Sequence, residues 1–453
     1  MQKLPKSILT NPKFVDLMHL QPSLEEHAED PMPVALIGTG VFGMHVVYQL
    51  EEMTGLTPVV LADLEASKAE KTYRRAGVDS DAIVKTDDSD EVAAAIEAGE
   101  RVVTTDGVVA AEAPVEVVVE VTGVPGPAAR HAWAAIAAGN DVVNVSIEAD
   151  VTVGPLLAQF ASEQGVTYSM AYGDEPASTV SLVDWARSAG LEVVVAGQGT
   201  ELTFKPHATP EDALERYGLP ESFIEDNDPD PRMYNTFQDG TKIAVELCAA
   251  ANAIGFAPDN GSPHIPKTDR EGVLKTLRPK EDGGVLEEKG VIDAVTPTDD
   301  FRNPSGFVIT EAKNEEMQRY FKQRFNIHTE NDGKYQFFDR PYHLPPETTV
   351  SVASVALNDA PTGTVRTQSS EVVGKAKRDL KPGEVIEGPG AEIYGALESA
   401  EKAAADEAIP LELLAGAEVT RPISTDERIT EEDVKVDTDS FLYHLRQVQN
   451  EVV

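Results

Sequence analysis

The chain has 453 residues, of which 38 are Lys or Arg and 78 are Asp or Glu, giving a formal net charge of −40 at an ordinary charged fraction of 26%. So large an acidic excess repels phosphate backbones and anionic leaflets, and neither nucleic acid nor a membrane surface is an expected partner. With 41% hydrophobic residues, wholesale disorder is excluded and two or three domains are expected.

Dispersed acid keeps a protein hydrated in concentrated salt, so the preferred setting is a halophilic, salt-loaded cytoplasm, with an ordinary acidic cytosolic enzyme as the alternative. The single cysteine, Cys248, forms no intrachain disulfide, and no Cys/His cluster stands at zinc spacing. No apolar run has signal-peptide or membrane-spanning length.

Residues 1–30 form a polar arm, with a helix predicted from Asn11 to about Glu29 and broken at Pro22. The apolar run Val34–Ile37 predicts a strand buried on both faces, and it leads into Gly38-Thr39-Gly40-Val41-Phe42-Gly43. A helix then carries Met44, Val46, Val47 and Leu50, and a second strand, Pro58–Leu61, stops at Asp63. Strand, glycine turn, helix, strand and acid in this order predict a dinucleotide site: Gly38 for the tight turn, Gly40 for the approach of a pyrophosphate, Gly43 for helix packing, and the helix amides for the phosphates. Asp63 on a ribose 2′-hydroxyl favours NAD. Lys68, Lys71, Arg74 and Arg75 follow and either reach a 2′-phosphate or form a solvated helix face, so NAD or NADP stays open.

Helices are predicted at Ser67–Ala76, Glu91–Ala98, Pro127–Ala138, Gly154–Gln164 and Pro176–Ala189, and strands at Val115–Val121, Asp141–Val145, Val166–Met170 and Leu191–Ala196. That alternation indicates a doubly wound parallel sheet of Rossmann type. Thr122 and Gly123, in the turn after one strand, are candidates beside the nicotinamide, while Asn144 and Ser146 end the next strand, where a ligand crevice belongs. From Gly197 the rhythm changes to acidic, proline-containing loops, an expected α+β substrate domain, and from Thr367 to a small β-rich domain with two related segments, AKRDLKPGEVIEG and VTRPISTDERITEEDVKVD. The expected boundaries are 1–30, 31–196, 197–366 and 367–453.

The order VALIGTGVFG, EVTGVPGPAARHAWAAIAAGNDVVNVSIEAD, AYGDEPA, FQDGTKIAVELCAAANAIG, DRPYHL and AKRDLKPGEVIEG resembles the homoserine-dehydrogenase-like oxidoreductases with a C-terminal SAF domain, a group that includes the 1-deoxy-D-xylulose-5-phosphate reductoisomerase-like enzymes. The resemblance spans about residues 30 to 450 and implies an SAF-like C-terminal domain. Homoserine dehydrogenases place a catalytic aspartate and lysine four apart on one helix; here Lys242 stands at the aspartate position and Glu246 at the lysine position. Their i,i+4 spacing puts ammonium and carboxylate on one helical face, with Lys242 polarising a carbonyl oxygen and Glu246 holding the lysine; the alternative is an exposed ion pair.

Asp174 and Glu175 are adjacent carboxylates before a helix, as caps or as acid/base groups. Gln198 lies at a glycine-flanked strand exit facing the same crevice. Arg340, Tyr342 and His343 offer a clamp for a phosphate or carboxylate, with Arg302 and Lys205 as lesser candidates. Lys242, Glu246 and Asp174 are the expected catalytic residues, and Ser146, Gln198, Arg340 and His343 the expected substrate contacts. No carboxylate spacing singles out a metal cage, and no metal is expected.

The expected function is NAD(P)-dependent hydride transfer to or from a small anionic carbonyl or polyol, with or without isomerisation, by a cytoplasmic homo-oligomer, dimer or tetramer. Homoserine dehydrogenase is one alternative. A non-catalytic NAD(P)-binding sensor or carbohydrate-binding protein is another.

Overall fold

A computed structural model describes residues 20–200, 204–298, 304–324, 327–340 and 344–453. The chain makes two compact units. The first holds Met1–Asp174, Leu344–Thr364 and Leu445–Val452, and the second holds Glu175–His343 and Val365–His444, with Val453.

The first unit is built on seven strands: β1 (Met32–Ile37), β2 (Leu56–Ala62), β3 (Ile83–Lys85), β4 (Arg101–Thr104), β5 (Val117–Glu120), β6 (Asp141–Asn144) and β7 (Tyr168–Met170). They pair in the order β3-β4-β2-β1-β5-β6-β7, every pair parallel. Parallel strands are covered by crossover helices on both faces, which is why β1 and β5 are near-continuous apolar runs. Leu36, Val46, Leu50, Leu61, Tyr73, Val119 and Val143 form part of one core with Val352, Ala353 and Val355 from the later helix Thr348–Asn358. The strand order reverses between β1 and β5, so a crevice opens beyond their carboxyl ends.

The expected doubly wound sheet is present, with local differences. The short strands β3 and β4 fall in stretches where no strand is predicted from the sequence. The described helix Leu20–Glu26 runs over Pro22 instead of breaking there. Asn11 to His19 lie outside the described residues.

The expected helix Gly154–Gln164 begins seven residues earlier, at Ile147, and continues through Pro155. A proline inside a helix disrupts the i→i−4 ladder. Here the buried amide of Gln449 takes up the freed groups: its Oε1 accepts the Leu156 N–H at 3.1 Å and its Nε2 donates to the Thr152 carbonyl at 3.2 Å. Arg446 donates to the same carbonyl at 3.1 Å.

The second unit centres on a mixed sheet of β8 (Glu192–Gly199), β9 (Lys267–Thr268), β10 (Val291–Pro297), β11 (Gly306–Glu311), β12 (His328–Glu330) and β13 (Tyr335–Arg340), in the order β12-β13-β11-β8-β10-β9. β8 runs parallel to β10 and antiparallel to β11. Val194, Val195, Leu274, Val295, Phe307, Ile309, Tyr335 and Phe337 fill its core. Toward the C-terminus, β14 (Ser370–Ala376) and β15 (Ile393–Ser399) form an antiparallel ladder. No helix among the described residues is long and apolar enough to cross a membrane.

Candidate functional site

In the first unit the glycine turn has the geometry its spacing predicts. Gly38 adopts φ +106°, and a Cβ there would lie 2.8 Å from the Val121 carbonyl oxygen. A Cβ on Gly43 would lie 2.0 Å from the Gly38 carbonyl oxygen, so only glycine lets the helix Val41–Glu52 sit this close to β1. A Cβ on Gly40 would meet nothing within 4 Å. Gly40 is the helix N-cap and no side chain caps the helix. The amides of Val41, Phe42 and Gly43 lack intrahelical partners, as at any helix start, and the space beside Gly40 is open.

Asp63 is tied to the glycine turn. Its Oδ2 accepts Thr39 N–H at 2.9 Å and Thr39 Oγ1 at 2.7 Å, and its Oδ1 accepts Glu65 N–H at 3.0 Å. The carboxylate thus braces the glycine turn from the neighbouring strand. Of the bases that follow, Lys68 pairs with Glu65 at 2.9 Å and Arg74 with Glu70. Lys71 and Arg75 are exposed.

The turn after β5 is tied to the loop after β6. Glu120 accepts Thr122 Oγ1 at 2.7 Å, Thr122 N–H at 3.3 Å and the Ser146 hydroxyl, and it pairs with His131 Nδ1 at 3.2 Å. Ser146 Oγ in turn accepts Gly123 N–H at 2.8 Å. Ser146 is 1% exposed, so the hydroxyl expected on substrate is spent inside the protein. Asn144 donates to the Ser146 carbonyl at 3.1 Å.

In the second unit, the helix Thr241–Ile254 carries Lys242 and Glu246. Its N-terminus is set by a buried ion pair: Asp239 Oδ1 accepts Thr241 N–H at 2.8 Å while Lys377 Nζ lies 2.7 Å from Asp239 Oδ2. Burial pushes the Asp239 carboxyl up and the Lys377 ammonium down, each opposed by the other's charge. Thr241 Oγ1 also accepts Gly395 N–H of β15 at 2.9 Å.

The helix is buried almost all round from Ile243 to Asn252, and Glu246 is only 5% exposed, so a solvated Lys–Glu ladder does not describe it. Glu246 instead accepts Gln198 Nε2 from β8, and Gln198 is itself 1% exposed. Half-buried Lys242 stands one turn earlier. The carboxylates of Glu175 and Glu246 come within 4.8 Å of each other, a pairing that spacing along the chain does not reveal.

Two carboxylates this close repel unless a proton or cation lies between them, and all-oxygen donors suit a hard divalent ion. Gln198, whose amide N–H is given to Glu246, has its Oε1 buried without a protein partner among the described residues. Arg340 ends β13 and donates to Ser178 Oγ at 3.4 Å, one turn after Glu175 on the helix Glu175–Ser188.

Asp174, buried, is the last residue of the first unit and precedes Glu175 in the chain. Lys205 lines an open cleft of about 480 Å³ with His207, Thr209, Asp212 and Arg216. Tyr342, His343 and Arg302 lie outside the described residues. Sequence reasoning missed Glu120 and Ser178; the one signal for Glu120 was an acid ending an otherwise apolar strand.

Residues 173–346 match the family model described as Oxidoreductase DRL, catalytic domain. No curated protein matches the chain. Among solved structures, a "probable dehydrogenase" from Thermotoga maritima is similar at 12% identity and a TM-score of 0.37, over 73% of this chain and 90% of that one. The 1-deoxy-D-xylulose 5-phosphate reductoisomerase of Zymomonas mobilis in complex with NADPH is similar at 16% identity and a TM-score of 0.32, over 49% of this chain and 58% of that one. The WlbA dehydrogenase of Bordetella pertussis, in complex with NADH and UDP-GlcNAcA, is similar at 14% identity and a TM-score of 0.28, over 39% and 49%. At these TM-scores the three likenesses carry no argument about ligand or reaction.

Proposed function

We propose that the chain is an NAD(P)-dependent oxidoreductase acting on a small anionic carbonyl or polyol compound. The observation that carries the reading is the open place at Gly40, the N-cap of a helix that no side chain caps, at the reversal point of a parallel sheet. The match of residues 173–346 to an oxidoreductase catalytic domain supports it.

Bound NAD(P)H would supply the hydride, and Glu175 and Glu246 would hold a divalent cation whose chemistry is Lewis acidity toward the substrate oxygen. Gln198 orients Glu246 through its amide, and Lys242 stabilises the oxygen that gains charge as hydride arrives. Reduction takes one hydride and one proton per carbonyl and leaves NAD(P)⁺. Arg340 clamps the anionic group of the substrate. The departure from the aspartate–lysine pair, with Lys242 and Glu246 at those positions, favours a reductoisomerase-like carbonyl over aspartate semialdehyde.

Fluorescence titration with NADH and NADPH tests the cofactor half. Gly40→Val, whose branched side chain fills the approach, should abolish binding, and unchanged affinity would remove the assignment. Oxidation of the bound cofactor is then followed against phosphorylated keto-sugars, sugar acids and aspartate semialdehyde, with Mg²⁺ and with EDTA. Equal turnover in the two would remove the cation.

A further inference from the structure

Glu120 is the last residue of β5 and has no exposed surface. Its strand stands where the sheet order reverses, with Glu120 registered against Ile37 at the end of β1 and Asn144 at the end of β6. A carboxylate removed from water is costly unless donors fill its lone pairs. Thr122 supplies its hydroxyl and its amide, His131 its Nδ1 at 3.2 Å, and Ser146 its hydroxyl.

The donors come from three places: the turn after β5, the helix Pro125–Ala138 and the loop after β6. The His131 ring is wedged from behind, since a Cβ on Gly107 would fall 2.3 Å from its Nε2. Because Ser146 gives its proton to Glu120, its oxygen is left to accept the Gly123 amide at 2.8 Å. Gly123, at φ +69°, is the freest residue of the turn, and this bond fixes it.

We infer that Glu120 is a positioning residue that holds the Thr122–Gly123 turn ready for the nicotinamide half of the dinucleotide. The inference rests on the cofactor reading above. The pyrophosphate belongs to the turn after β1, so the second nucleotide half falls to the turn across the reversal point, which is the turn Glu120 organises. Pre-setting that turn removes an ordering cost that binding would otherwise carry.

ADP-ribose, or its 2′-phosphate if NADPH is the ligand, reaches the glycine turn but lacks nicotinamide, and so separates positioning from general damage. In Glu120→Gln an amide donor replaces an acceptor facing donors. The dissociation constant for the dinucleotide should rise tenfold or more while that for ADP-ribose stays within twofold. Ser146→Ala should weaken the dinucleotide less, and should add nothing when combined with Glu120→Gln.

Equal loss for both ligands, or a lowered melting temperature with unchanged dinucleotide affinity, would make Glu120 a plain strand cap and overturn the inference. If Glu120→Gln does not fold, Ser146→Ala alone decides, and unchanged affinity overturns it. A wild-type chain that binds neither ligand overturns the cofactor reading and this inference together.

Discussion

Asp150 shows how far burial moves a single acid. It lies in the helix Ile147–Gln164 with no exposed surface, and burial pushes its carboxyl from 3.8 up to about 7, reinforced by the charges of Glu148 and Asp174 and opposed by the Tyr168 hydroxyl that donates to it at 2.6 Å. Among the described residues its Oδ2 is buried without a hydrogen-bond partner, which favours the neutral, protonated carboxyl over a buried charge. The folded chain therefore keeps a proton that the unfolded chain releases near pH 4. Between about pH 4 and 7 the folded state binds more protons, so stability falls as pH rises, by about 1.4 kcal/mol for each pH unit, and levels off above. Asp150→Asn keeps a donor without titrating. The melting temperature of the wild type should fall relative to that variant from pH 4 to 7 and run parallel to it beyond, whereas a constant difference across pH 4 to 7 would sink the assignment.

At the scale of one element, the helix Ile147–Gln164 owes its continuity to a residue almost three hundred positions away. Gln449→Ala strands the Leu156 N–H beside Pro155 and leaves the Thr152 carbonyl to Arg446 alone, at a cost of roughly 1–3 kcal/mol for one buried backbone group. Pro155→Ala should recover part of that loss in the Gln449→Ala background, because the helix can then close its own ladder. Urea unfolding of the two single variants and the double variant measures this; losses that merely add would show that the two residues act separately. The same pair shows where sequence stops being legible. Gly38 and Gly43 are readable because a left-handed φ or a close approach admits one residue type only. Gly154-Pro155 reads locally as a helix start, since proline is favoured in a first turn, and nothing nearby announces that Gln449 repairs the interior. Gln198 and Glu246 meet for a similar reason, through the packing of β8 on a helix over forty residues later. β3 and β4, of three and four residues, carry too little pattern to register.

For the whole molecule, 78 acids against 38 bases leave repulsion that water alone must screen. The screening length is about 10 Å at 0.1 M salt and about 3 Å at 1 M. The melting temperature should therefore climb steeply with KCl up to the molar range, and a flat profile would show that the acids are placed without net strain. Composition made that expectation available at once, but not the path of the chain. Residues 344–364 and 445–452 return to the first unit after long excursions, and their apolar patterns, read locally, belong equally well to either body.

Those returns govern the order in which the protein can be finished on the ribosome. The Tyr172 amide waits for the Ser351 hydroxyl, the Met170 amide for the Gly363 carbonyl, and the Leu156 amide for Gln449. At synthesis rates of about 5–20 residues per second, the last of these arrives roughly 15–60 seconds after the helix it serves. The first unit is thus begun first and sealed last. A nascent chain must hold an unfinished sheet through most of its own translation, and the final helical turns act as the latch that ends that exposure.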